Sequence, residues 1–319
     1  MATAAKITRD KLEALERVPD AWAKSIEGYQ PKLFARLSKL LAELETVDGS
    51  LAMTASNLTS INTIVNELRA FLTQGEYVDI VKAFNNEFTV QQGLTAKYFG
   101  EVLGLDAIPT PFAAQLYQTN RAIAIDGVLG NTALDSMLLN DVRSTLIDAV
   151  GSNSRYTNTL ESLRNLVEGN AEKEGQLLRY SRQIVSDTFA TTDRAYTQLV
   201  SEDLGLQFFR WLGGKMKTTR CLCLNLNGQY LHKGEIEQIG LSNLAVIEGL
   251  SSCKSGNFWA GAMPNTNNKT IFTVAGGYNC QHSILPVSTF GVPKDVALRA
   301  YNSGYFKPTP TEKEFFGIN

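Results

Sequence analysis

Histidine is nearly missing from this chain: His232 and His282 are the only two in 319 residues. An inventory that small nearly excludes Ser-His-Asp hydrolytic machinery. Cysteine stops at four, Cys221, Cys223, Cys253 and Cys280, and none of the nine prolines lies between 112 and 263. Neither sign of charge dominates, with 30 Lys plus Arg against 32 Asp plus Glu. A net charge of −2 supplies no overall drive toward nucleic acid or an anionic membrane. No segment reaches the ~18 consecutive apolar residues of a membrane span, and "MATAAKITRDKLEALERVPD" has no uninterrupted apolar core of the signal-peptide type. The expectation is a chain that first folds in a reducing cytoplasm, where its cysteines read as free thiols or metal ligands.

Chemical signatures are missing too. "WLGGKMKTT" and "GLDAIPTPF" lack the glycine-lysine spacing that lines backbone amides on a phosphate, and "AGGYN" is not a dinucleotide fingerprint. There is no H-E-x-x-H, no G-x-S-x-G and no distinctive carboxylate pair. No catalytic residue is assigned, no close internal repeat is found, and the chain reads as a non-enzyme.

What is there is helical periodicity. Leu33, Phe34, Leu37, Leu40, Leu41 and Leu44, then Leu58, Ile61, Ile64, Val65, Leu68, Phe71 and Leu72, recur at steps of three and four around a break at "VDGS". That predicts a helical hairpin. A second helical run spans 131–150, and a third runs from Tyr156 to Val200 on a stripe including Leu160, Leu163, Val167, Leu177, Val185, Phe189 and Tyr196. Pro109 and Pro111 forbid a continuous helix between the first two regions. After Gly205 aromatic and polar residues alternate around "GG" and "NG", and "NKTIFTVAGGYN" continues that texture, which predicts short strands and turns. The fold class expected is mainly α: an N-terminal helical domain (1–109), a central helical region (110–205), a small α+β module with short strands (206–290), then a short helix and an extended Pro/Thr tail (291–319).

Both histidines and all four cysteines lie between 221 and 282. Cys221-x-Cys223 and Cys280-x-His282 form a two-part constellation, with His232 and Cys253 in reserve. Four such ligands suit tetrahedral zinc. The alternatives are buried small hydrophobes with a hydrogen-bonded His282, a Cys280/His282 catalytic dyad, and oxidation pairing Cys253 with another cysteine. Gly276 and Gly277 permit a tight backbone path, and Asn279 can bond within its own turn. "GGYNCQHSILPVS" is therefore expected to be a structural knot set against the 220–228 turn. Ile284, Leu285 and Val287 should pack inward, with Pro286 on an edge strand.

The succession "RYSRQIVSDTFATTDRAYTQLVSEDLGLQFFRWLGG", "TTRCLCLNLNGQYLHKGEI" and "TIFTVAGGYNCQHSILPVS" resembles the phage head-morphogenesis, or minor head protein, family named for its Mu-phage member. Arg182, Thr188, Arg194 and Ala195 match its helix; Trp211, Arg220, Cys223 and Gly228 its strand and turn; Asn279, Cys280, His282 and Pro286 its closing knot. The resemblance covers about residues 130–290. Thr218 stands where the family commonly has an acid, Gly277-Tyr278 replaces His-Pro, and His282 replaces the second cysteine. The resemblance implies a virion structural protein, assembled in the host cytoplasm, that contacts the portal or the major capsid protein. The helical stripes add an expectation of a homo-oligomer or of multiple copies in an assembly. Two other readings stand beside it. One is a phage-borne transferase or cysteine hydrolase. The other is a DNA-contacting ejected protein, resting on "KMKTTR" (215–220) and "FKPTPTEK" (306–313), where the plainer reading is a solvated charged face.

Overall fold

Two prolines, Pro19 and Pro31, sit inside the first helix of the structure, a computed structural model that describes residues 2–104, 111–215, 217 and 219–318. Helix α1 runs Ala2–Leu41, so the stripe read from residue 31 begins a full helix earlier. Each proline removes one backbone donor and disfavours the helix interior by about 3 kcal/mol. The opposing term is burial: Val18, Trp22, Ile26, Tyr29, Leu33, Leu37 and Leu40 recur at steps of four and three and are all buried.

A two-stranded hairpin, β1 (Thr46–Val47) and β2 (Ser50–Leu51), occupies the "VDGS" break. Helices α2 (Ala55–Leu72) and α3 (Glu76–Lys97) follow, with Thr54 capping the first through its side chain. The predicted break at Pro109 lies outside the described residues; α4 starts at Pro111 and ends at Leu129. α5 (Asn131–Leu134) passes through a π turn, Asp135–Leu139, into α6 (Asn140–Gly151). The run from Tyr156 to Val200 is two helices, not one. α7 (Tyr156–Val167) and α8 (Gln176–Asp203) are parted by a turn in which Gly169 has φ 83° and the Asn170 side chain accepts the N–H groups of Glu172 and Lys173.

The chain forms two compact units, and helices α1, α3, α4 and α8 each contribute one end to each. One unit comprises 17–87 and 122–185. In it the Trp22 indole donates to Ser181 Oγ at 2.8 Å, the Tyr77 hydroxyl donates to the Val128 carbonyl at 2.6 Å, and Gln30 Nε2 donates to the Val167 carbonyl at 2.7 Å. Each bond joins helices distant in sequence through a side chain that is itself buried, where an unpaired donor would be costly.

The other unit comprises 1–16, 88–121 and 186–319. Its helical part centres on Phe88, which meets Phe189 and Tyr117 edge-on, and on a fully buried ion pair between Lys11 and Asp193, with Thr95 bonded to both. Its sheet is three-stranded and antiparallel, in the order β4 (Tyr230–His232), β3 (Phe208–Leu212), β7 (Ser283–Val287). Between β3 and β4 comes α9 (Cys221–Leu226); after β4 come α10 (Lys233–Gly240), the small hairpin of β5 (Lys254–Ser255) and β6 (Phe258–Trp259), and α11 (Ile271–Val274). The strand texture expected across 206–240 and 268–279 is thus partly helical. "CLCLNL" puts Leu222, Cys223 and Leu226 on one buried side, the i, i+1, i+4 pattern of a helix, and "IFTV" is likewise a helical turn. The tail is not extended either. After α12 (Lys294–Asn302), the Thr309/Glu312 capping box with Pro310 in the first turn starts α13 (Pro310–Phe316), and Phe306, Phe316 and Ile318 pack with Phe208.

The mainly α class stands, with its short strands confined to the end of the chain apart from the β1–β2 hairpin. No single described helix is long and apolar enough to cross a membrane.

Candidate functional site

Gly276 is the hub of the C-terminal module. Its carbonyl accepts from Trp259 Nε1 at 3.0 Å and from the Arg220 guanidinium at 3.4 Å, while its N–H points to Cys280 Sγ at 3.2 Å. A Cβ on this residue would stand 2.2 Å from Cys223 Sγ and 3.0 Å from Cys280 Sγ, so only glycine fits. Beside it, Gly277 has φ 100° and Asn279 φ 54°, left-handed positions that turn the chain back on itself. The Asn279 backbone N–H donates to the Asp187 carboxylate on α8 at 2.6 Å.

Around this turn the sequence-predicted residues gather. Arg220 is the N-cap residue of α9 and lies over the Gly276 carbonyl. Gly228, at φ 89°, closes the loop onto β3 by donating its N–H to the Trp211 carbonyl at 2.7 Å. Cys223 and Cys280 are buried, unpaired covalently, and 3.7 Å apart at sulfur. His282 is buried too, two residues on, at the mouth of β7. Cys223, Cys280 and His282 bring one ligand atom each to within 4.8 Å of one another, so three of the four candidate metal ligands form a cluster that could hold an ion.

Cys221 does not join them. Residues two apart on a helix are rotated by about 200°, so Cys221 leaves the exposed side of α9 while Cys223 enters the core. Cys221 instead forms a disulfide with Cys253, with the Asn225 amide beside both sulfurs. The reserve ligand His232 is elsewhere as well: it caps α10, its Nδ1 accepting the Gly234 N–H at 3.0 Å, and burial lowers its pKa to about 4.

Comparison with protein-family models, with curated proteins and with solved structures gives no match. The chemistry of the cluster is therefore argued from its own atoms. The Cys280 thiol is held well below its ordinary pKa, first by the hydrogen bond from Cys223, against the opposing effect of burial, with His282 and Arg194 helping. The Cys223 thiol is pushed up by the same shared bond and by burial. Arg194, buried on α8, fixes the segment by donating to the Cys280 carbonyl at 3.1 Å.

A cysteine beside imidazole and guanidinium resembles an activated nucleophile, but reactive cysteines are partly exposed. Cys280 is 5% exposed and His282 4%. Buried sulfurs in this setting serve as ligands or as packing. Sequence reasoning missed Trp259 and Gly261. The indole of Trp259 seals the Gly276 carbonyl, and a side chain at Gly261 would strike the Arg220 guanidinium. The lone glycine two residues after a tryptophan in "FWAGAMP" was the available signal.

Proposed function

We propose that this chain is a bacteriophage minor head protein, a structural component built into the virion near the portal or the inner face of the capsid. One observation carries the reading. Arg220, Cys223, Cys280 and His282, four of the residues on which the resemblance rests, are far apart in sequence and converge around Gly276, with Arg194 of the preceding helix bonded to the same segment. That packing supports reading these four matched residues as parts of one structural module. Within this reading the Cys/His cluster stiffens the module, as packing or as a structural metal site, rather than performing catalysis.

The apolar stripes of α1, α2, α7 and α8 do not support an oligomer as the sequence suggested, because Leu33, Leu37, Ile61, Leu68, Leu163, Val185 and Phe189 are interior. Nor is Arg220 free for DNA, since it is committed to Gly276. Co-expression with the portal and major capsid proteins of the same genome tests the proposal. Co-purification with the portal or with assembled heads, at a few copies per particle, is the outcome expected. A chain that stays in the soluble fraction while heads form normally without it overturns the proposal.

A further inference from the structure

We infer that Cys223, Cys280 and His282 form a zinc site with three protein ligands, and that Cys221 takes no part in it. Four observations converge on this. A tetrahedral zinc with Zn–S bonds of about 2.3 Å separates its sulfurs by about 3.8 Å, and the Cys223 and Cys280 sulfurs lie 3.7 Å apart. That spacing is too long for a disulfide and matches the edge of a zinc tetrahedron. The third donor is in reach, since all three ligand atoms lie within 4.8 Å of one another. His282 Nε2 is buried with no hydrogen-bond partner, an unmet requirement that a metal would satisfy. Finally, glycines line the cluster at close range, so that no side chain of their own crowds it. Gly276 lies against both sulfurs and Gly213 against the His282 ring, where a Cβ would come within 2.5 Å of the imidazole.

The supporting shell is complete. The Gly276 N–H bonds Cys280 Sγ, Arg194 holds the Cys280 carbonyl, and Trp259 and Arg220 fix Gly276 itself. Two thiolates balance the charge of the ion, with the thiol protons released to solvent on binding. Among the described residues no fourth Cys, His, Asp or Glu donor joins the set, so the fourth position falls to water. The inference does not depend on the virion reading, because it concerns the isolated chain.

The full chain, purified under reductant, is analysed for metals and then loaded with cobalt(II) as a spectroscopic stand-in. The expected result is about one zinc per chain, a thiolate-to-cobalt charge-transfer band, and two thiols that react with a thiol reagent only after chelation. The Cys221→Ser/Cys253→Ser double variant keeps all three signals, and Cys280→Ser loses zinc and most of the band. If Cys280→Ser fails to fold, the parent and the double variant still decide. No zinc and no cobalt band in the folded parent, a Cys223–Cys280 disulfide under reductant, or loss of metal in the Cys221/Cys253 variant overturns the assignment.

Discussion

At the scale of single residues the module hinges on one missing side chain. Gly276→Ala would drive a methyl group into both sulfurs, and overpacking of this kind costs roughly 1–3 kcal/mol. Gly28 is the control. It is exposed within α1 with nothing near its absent Cβ, so Gly28→Ala should stabilise by about 0.5–1 kcal/mol. Urea unfolding of the two variants beside the parent should give shifts of opposite sign. His232 supplies a second test. Its pKa is lowered from 6.5 to about 4, so the unfolded chain binds its proton first. Its contribution to stability is complete above pH 6.5 and is lost as the pH falls toward 4. His232→Asn keeps a capping side chain without that titration; the loss of melting temperature between pH 6.5 and 4 should shrink in this variant and persist in Cys221→Ser. The position of the knot was legible from Gly-Gly, Asn and Cys-x-His, because left-handed turns leave few residue choices. The partner of Cys221 was not, because C-x-C carries opposite directions on a helix and a strand, and the choice between them is made by distant packing.

At the scale of elements, the Lys11–Asp193 pair joins α1 to α8 in a setting where burial lowers the lysine's pKa and Asp193 opposes the shift. Asp193 Oδ2 is buried without a partner. Removing one member strands the other charge, so Lys11→Met should cost about 3–5 kcal/mol. Lys11→Met combined with Asp193→Leu should recover most of that loss in the same unfolding measurement; a double-variant loss equal to the sum of the two single-variant losses would mean that the pair is not coupled. The long helices were legible because their stripes repeat over many turns. The true start of α1 was hidden by Pro19 and Pro31, which signal a break locally but are outweighed by the buried residues around them. "CLCLNL" and "IFTV" read as strands because runs this short carry no period of their own.

At the scale of the whole molecule, the chain is divided into two units that share four helices, a division the sequence segments do not follow. A contiguous reading places boundaries where composition changes, whereas a long helix can leave one packed unit and enter another with no change in texture. The same limit holds for function. The functional argument rests on the few residues around Gly276. Imaging of heads assembled with this protein, averaged without imposed icosahedral symmetry, tests that argument most directly. The account predicts density for the chain at or beside the portal vertex, lost from particles made without its gene. Particles identical with and without the gene, and no density at that vertex, would contradict it.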